Sequence, residues 1–251
     1  MTELIDDRWL SELAQAGHVL VLTGAGMSAE SGISTFRDKR QGLWAKYRPE
    51  DLATPEAFAA NPSHVWDWYQ WRREKLRDVQ PHAGYFALAE VETLLPDLHI
   101  VTQNVDGLHR ASGSRQVIEL HGNIRRSICS ATKRLIDDDW ITSHADSPPP
   151  SPHAKGAYAR PDVVWFGESL PEDALNQAWR LARQADVILS VGTSALVQPA
   201  ASLPIIGVQA GAVLIEINPE PTPLSAQAHH VLRASAGTAL PAIARALAQG
   251  R

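Results

Sequence analysis

Short β-branched runs recur along the chain, and most of them stop at Gly, Asn or Asp. They fall at residues 18–23 (HVLVLT), 98–103 (LHIVTQ), 116–120 (QVIEL), 187–191 (VILSV) and 213–217 (VLIEI), with a sixth candidate at 230–233. They are apolar almost throughout instead of alternating, which suits strands covered on both faces of a parallel sheet. Helix-patterned segments lie between several of them, as at 83–95 and 173–184. That alternation predicts an α/β fold built on a doubly wound, Rossmann-like parallel sheet.

Two stretches break the rhythm. Residues 37–80 hold a loop and then a Trp-rich helical pattern. Residues 123–160 begin with mixed polar residues and end in a Ser/Pro/Ala-rich segment around Pro148–Pro150. Structureless loops of that length are uncommon inside a compact domain. Both are therefore read as insertions that pack together as a smaller second domain, leaving 1–36, 81–122 and 161–251 to the sheet domain. A net charge of −5 gives no electrostatic case for nucleic acid. No apolar run is long enough to span a bilayer, so no membrane partner is expected. The single Cys129 excludes an intramolecular disulfide, and with no signal-like segment a cytoplasmic setting is expected. The oligomeric state is left open.

The first run leads into Gly24-Ala25-Gly26-Met27-Ser28-Ala29, which fits the G-x-G-x-x-G/A dinucleotide pattern. On that reading Gly24 makes the tight turn, Gly26 admits a pyrophosphate and Ala29 lets a helix pack closely. Glycines serve ordinary strand-to-helix turns equally well, and the acid that usually binds a ribose after a second strand is not evident. Something other than a plain dehydrogenase is implied. The turns after the later strands are polar: 102–109 (TQNVDGLH), His121-Gly122, Gly192-Thr193-Ser194 and Asn218-Pro219-Glu220. In an open α/β sheet ligands sit outside the carboxyl ends of the strands, so these turns are expected to line one crevice. Asn104 and Asp106 share a parity suited to a carboxamide. His121 follows a predicted buried strand, where an imidazole can serve as a general base near neutral pH.

The segments 24–38 (GAGMSAESGISTFRD), 102–109, 119–122 (ELHG), 160–168 (RPDVVWFGE) and 191–194 (VGTS) resemble the motifs of the sirtuin family, in the family's order, from about residue 18 to residue 236. The resemblance implies an NAD-dependent protein-lysine deacylase, with acyl-lysine proteins or peptides as substrates and NAD as cosubstrate. Gly24, Ala25, Gly26, Ser28, Phe36, Arg37 and Trp44 would belong to the cofactor turn and the loop closing over NAD. Gln103, Asn104 and Asp106 would line its ribose and nicotinamide pockets. Gly192, Thr193, Ser194, Asn218, Pro219, Glu220 and Ala236 would hold the pyrophosphate side and the adenosine. His121 would be the general base on the ribose, with Asn104 beside it as the second catalytic residue. Val163, Val164, Trp165, Phe166 and Gly167 would offer a strand edge to the acylated peptide by β-augmentation. In the implied reaction the acyl oxygen displaces nicotinamide from the ribose, and the acyl group ends on ADP-ribose. Transfer of ADP-ribose to protein, or hydrolysis of NAD, is the competing enzymatic reading. A non-catalytic NAD-sensing module is the other alternative, opposed by the presence of Asn104, Asp106 and His121.

Tyr69 and Arg72 are three apart in a helical pattern and share a face. By themselves they read as a core tyrosine beside a solvated arginine. The resemblance adds a second reading, because Tyr-x-x-Arg matches sirtuins that remove succinyl, malonyl or glutaryl groups, and Ala53 would leave room for a longer acyl chain. Arginine can clamp a carboxylate through two parallel hydrogen bonds.

Most sirtuins hold a structural zinc with two Cys-x-x-Cys pairs in the interval that is 123–159 here. This chain has Cys129 alone, with Thr132 where the second cysteine would stand. His144, His153 and Asp137–Asp139 are the remaining candidates, at irregular spacing, and the aspartates read more simply as a solvated helix face or terminus. The expectation is a module that folds without zinc. Cys129 would be a small apolar residue, and Ile124, Ile128, Leu135, Ile136, Trp140 and Ile141 would form an apolar plug in place of the metal.

Overall fold

A computed structural model describes residues 6–33 and 48–250. Among these residues the strands are β1 (Val19–Thr23), β2 (Leu98–Thr102), β3 (Val117–Glu119), β4 (Gly122–Cys129), β5 (Leu135–Ile136), β6 (Ala159–Val163), β7 (Val187–Val191), β8 (Val213–Ile217) and β9 (His230–Leu232). Six of them form one sheet in the order β3-β2-β1-β7-β8-β9, with every neighbouring pair parallel. Alternate side chains serve two separate cores. Val19, Val21, Ile100, Leu189 and Ile215 face one side, while Leu20, Leu22, Val101, Ile188 and Leu214 face the other. Both faces are buried, which is why the runs are continuous in apolar character.

The helices are α1 (Asp7–Gln15), α2 (Ala25–Ala29), α3 (Pro49–Leu52), α4 (Pro55–Ala60), α5 (Pro62–Arg77), α6 (Ala83–Leu94), α7 (Leu108–Ala111), α8 (Asp138–Thr142), α9 (Glu172–Gln184), α10 (Leu203–Ala210) and α11 (Ala236–Gln249). Leu88 and Val91 of α6 and Leu240 and Ile243 of α11 cover the first face; Ala178 and Ala182 of α9 and Leu203 of α10 cover the second. Counted within this sheet alone, the strand order is 3-2-1-4-5-6, the doubly wound arrangement, and it reverses between β1 and β7. The crevice for a ligand lies at that point.

Local signals start the helices of the small second domain. Thr54 accepts a hydrogen bond from the Ala57 amide ahead of Pro55, and Asn61 does the same for His64 ahead of Pro62. An accepting side chain followed by a proline with a preset φ is a strong start signal. Residues 123–160, for which no strand was assigned, contribute to an antiparallel sheet of order β5-β4-β6. The pairing register shifts between Asn123 and Ser127. Arg73 of α5 fills that irregularity, donating to the carbonyls of Ile124 and Arg126 at 2.6 Å each and to Ser127 Oγ at 3.1 Å. A strand bent at a bulge loses its period of two, so the pattern did not reveal it.

The expected apolar plug does not form as one unit. Ile124 joins Leu52, Val65, Tyr69 and Trp165, whereas Ile136 packs with Cys129, Trp66 and Ala159. Trp140 and Ile141 lie against this second group, and Leu135 is 60% exposed. Asp137 caps α8, with Asp138 and Asp139 in its first turn, so the acidic run marks a helix terminus. No helix among the described residues is long and apolar enough to cross a membrane.

Candidate active site

The turn after β1 and the turn after β7 are packed backbone against backbone. A Cβ added to Gly24 would lie 2.8 Å from Thr193 Cα, and one on Gly26 would lie 2.8 Å from Gly192 Cα. Gly192 itself has φ +60°, and a Cβ there would collide with the Met27 amide nitrogen. Gly24 has an extended backbone, φ −127° and ψ −168°, and needs no left-handed conformation. The approach of the two turns to each other therefore requires glycine at both positions with no ligand involved, a reason separate from the turn and pyrophosphate roles read from the motif. Ala29 is exposed and not pressed beneath a helix, and the buried residues of α2 are Met27 and Ser28.

The turn after β2 carries a buried polar network centred on Ser28. Asn104 donates through Nδ2 to the Gly24 carbonyl at 2.9 Å and to Ser28 Oγ at 3.0 Å. Ser28 in turn donates to Asp106 Oδ2 at 2.7 Å, and Tyr85 OH lies 3.0 Å from Ser28 Oγ. The Leu108 amide donates to Asp106 Oδ1 at 2.9 Å. Burial raises the Asp106 carboxyl, opposed by the bonds from Leu108 and Ser28. Behind the network lies a second polar chain. Thr23 donates to Thr102 Oγ1 at 2.8 Å, so the 2.9 Å contact of Thr23 Oγ1 with His109 Nε2 requires the ring nitrogen to be the donor. Thr102 Oγ1 also accepts from the Asn104 amide at 3.0 Å, which fixes the backbone of Asn104.

His121 follows β3. Its Nδ1 lies 3.1 Å from the Gln103 carbonyl, an acceptor, so Nδ1 carries the proton and Nε2 keeps a lone pair. Burial lowers its pKa below the ordinary histidine value, with the Gln103 contact opposing that shift. Gln103 Nε2 donates to Thr193 Oγ1 at 3.2 Å, and Asn218 Nδ2 donates to the Thr193 carbonyl at 3.0 Å. Hydrogen bonds thus bring together Gly24, Ser28, Gln103, Asn104, Asp106, His121, Thr193 and Asn218, and the glycine contacts add Gly26 and Gly192. Ala25 opens α2. Ser194, Pro219 and Glu220 are exposed at the rim. Ala236 is buried at the start of α11, which Glu30 secures by accepting from the Gly237 amide at 2.6 Å. Phe36, Arg37 and Trp44 lie outside the described residues.

A second group lies where α5 meets the end of β6. The Val164 amide donates to the His121 carbonyl at 3.0 Å and the Phe166 amide to the Ala53 carbonyl at 2.9 Å. The run 163–167 therefore bridges the sheet domain and the helices of the small domain. Val163 and Trp165 are buried, whereas Phe166 and Gly167 are exposed. Trp165 donates through Nε1 to Tyr69 OH at 3.0 Å, and Tyr69 and Ala53 are both buried in the same cluster. The Arg72 guanidinium lies 5.0 Å from the centroid of the Trp68 ring and 5.4 Å from that of Tyr69. Burial lowers the Arg72 pKa, opposed by its interaction with the Tyr69 phenol. Arg73, its neighbour, is committed to the β4 bulge. Sequence reading missed Tyr85, gave no individual role to Thr23 or to His109 although His109 ends the 102–109 turn, and gave none to Glu168, although that residue closes one of the motifs.

Two turns face one another at the far end of the small sheet. The Thr132 amide donates to Cys129 Sγ at 3.4 Å, and the His153 amide donates to Ser151 Oγ at 3.2 Å. Ser151 also hydrogen-bonds the Cys129 thiol, and Ala154 packs on the same cluster. Burial would push the thiol up, but hydrogen bonds from Ser151, Thr132 and Ala131 bring it down to about 7. His153 Nε2 is engaged by the Leu135 carbonyl at 2.6 Å and His144 Nδ1 by the Trp140 carbonyl at 2.8 Å. Cys, Thr, Ser and Ala do not make the four nitrogen or sulfur ligands that tetrahedral zinc requires. Among the described residues no group of three or more His, Cys, Asp or Glu is placed to hold a metal.

Residues 24–199 match the Sir2 family model. The chain is 48% identical over 243 residues to NAD-dependent protein deacylase 1 of Archaeoglobus fulgidus, covering 96% of this chain and 97% of that protein. It superposes on the structure of a Sir2 homolog–NAD complex with a TM-score of 0.88 at 46% identity, covering 98% of this chain and 95% of the other. A Sir2–p53 peptide–NAD complex matches with a TM-score of 0.81 at 28% identity and 97% coverage of both chains. With the doubly wound fold, the small second domain and the motifs in one order, this protein belongs to the Sir2 family.

Proposed function

We propose that this protein is an NAD-dependent protein-lysine deacylase with a preference for acidic acyl groups. The observation that carries the deacylase reading is the placement of His121. Its tautomer leaves Nε2 as a base, and its Gln103 partner is tied through Thr193 to the β7 and β8 turns. NAD, when bound, supplies the leaving group and the acceptor for the acyl chain. The donor set suits it: Ser28, Asn104 and Asp106 offer fixed donors and acceptors for ribose and carboxamide, and Thr193 and Asn218 offer more beside them. His121 Nε2 takes the proton of a ribose hydroxyl. The run 163–167 aligns the acylated peptide beside it.

The acidic preference is supported by the wall formed by Ala53, Tyr69, Arg72 and Trp165. A desolvated guanidinium stacked on aromatic rings gains most from a carboxylate, and the Tyr69 phenol stands next to it. The module around Cys129 is proposed to need no zinc.

Turnover of succinyl-, malonyl- and acetyl-lysine peptides by wild type and Arg72→Met tests the reading. Loss of one charged hydrogen-bonded contact is expected to lower kcat/KM for succinyl peptide by about 10- to 100-fold. Acetyl turnover should change much less. Equal succinyl activity in the variant rules out the clamp. Nicotinamide release that is indifferent to acyl peptide would replace deacylation by NAD hydrolysis.

A further inference from the structure

Glu168 is the most heavily bonded carboxylate near the proposed substrate strand. Its Oε1 accepts from Lys133 Nζ at 2.7 Å and from Arg160 Nη1 at 2.8 Å. Its Oε2 accepts from Arg160 Nη2 at 2.8 Å and from the Trp165 amide at 3.0 Å. Four donors to one carboxylate outweigh partial burial and bring its pKa down to about 2. The Glu168 amide returns to the Trp165 carbonyl at 3.0 Å, with Gly167 at φ +86°, a turn that needs glycine at its third position.

Arg160 joins Glu168 to the strand. It is only 3% exposed, its guanidinium carbon lies 3.3 Å from the Trp165 ring centroid, and Nη2 also donates to the Val163 carbonyl at 2.8 Å. Trp165 in turn reaches Tyr69. Lys133 enters from the opposite side, from the turn that begins at Cys129, where its backbone takes φ +58° and its amide donates to the Cys129 carbonyl at 3.0 Å. A continuous chain of contacts therefore runs from the Cys129 turn, through Lys133, Glu168, Arg160 and Trp165, to Tyr69 and the Arg72 wall.

We propose that Lys133, Glu168 and Arg160 are positioning residues that hold the 163–167 strand and the Trp165–Tyr69 wall in register for the acylated peptide, so that the Cys129 turn governs peptide affinity without touching peptide or NAD. This rests on the deacylase reading above and adds to it the residues that set the peptide subsite. Among the described residues, the side-chain hydrogen bonds of Lys133, Glu168 and Arg160 do not include Gln103, Thr193 or Asn218, so NAD affinity should not follow the cluster. Val164 and Phe166 keep their own anchors at His121 and Ala53. Loss of Lys133 should therefore loosen the strand and not detach it.

The test is steady-state kinetics of Lys133→Met and Lys133→Arg, with acyl peptide and NAD varied separately. Lys133→Met should raise the KM for acyl peptide about three- to fivefold, the scale of one partly exposed ion pair, with kcat and the KM for NAD within about twofold of wild type. Lys133→Arg should restore the peptide KM. Glu168→Gln, examined where it retains a cooperative melt, should raise the peptide KM further than Lys133→Met. An unchanged peptide KM in Lys133→Met, an equal rise in both KM values, or a fall in kcat alone overturns the proposal while leaving the deacylase reading intact. A wild type that turns over no acyl-lysine peptide overturns the deacylase reading and this one with it.

Discussion

At the scale of single residues, His109 is an imidazole held almost entirely out of water. It is buried against the Tyr85 ring, and desolvation, with a smaller contribution from His82, lowers its pKa to about 3. The unfolded chain takes up a proton on this imidazole near pH 6.5, whereas the folded chain does not until about pH 3. Folding stability is therefore unaffected by His109 above pH 6.5 and falls as pH drops from there towards 3. The slope approaches about 1.4 kcal/mol per pH unit for one proton. His109→Phe keeps a ring beside Tyr85 and removes the titration. Urea unfolding at pH 8, 6 and 5 should show a shallower decline in the variant, and equal slopes would refute the assignment. The 102–109 turn that ends in His109 was legible in the sequence, but the burial of the ring and its Thr23 contact were not, because they are set by elements 86 residues apart. His121 was legible by its place after a strand, but its tautomer depends on the Gln103 carbonyl, which only the folded chain supplies.

Among the elements, the paired turns of β1 and β7 give the glycines of a recognised motif a packing reason that the motif does not carry. The G-x-G spacing marks the turn correctly, yet the clearance it provides is taken up by Gly192 and Thr193. Gly26→Ala should therefore destabilise the protein with no NAD present, by about 1–3 kcal/mol, because the new methyl would sit 2.8 Å from backbone atoms. Chemical denaturation of the NAD-free variant measures this. Unchanged stability with lost NAD affinity would return the glycine to the role read from its motif. Most of the parallel strands were legible because they are largely apolar and end at a turn residue. β4 was not, because its bulge is stabilised by Arg73 from a helix about 50 residues earlier, a contact no local pattern carries.

Across the whole molecule, the small domain carries the largest departure from the family's usual chemistry. Two facing turns are closed by Cys129, Ser151 and their amide donors, and Trp66, Ile136 and Ala159 pack beneath them. On the proposed zinc-free reading, hydrogen bonds and apolar contacts there would stand in for a metal contribution that is on the order of ten kcal/mol in isolated finger peptides. Treatment with chelator should leave the melting temperature and the activity unchanged, with elemental analysis as the check; one zinc per chain would reverse the assignment. The amino-acid sequence by itself determined the fold class, the six parallel strands and the chemical types at the ends of those strands. These follow from apolar runs and turn residues that act over a few neighbours. Tertiary structure alone decided which glycine fills which space, which arginine serves the β4 bulge, which nitrogen of His121 keeps its lone pair, and that Ser151 meets Cys129. Each of those depends on atoms brought together from distant parts of the chain, and packing at ångström distances leaves no periodic trace in the sequence.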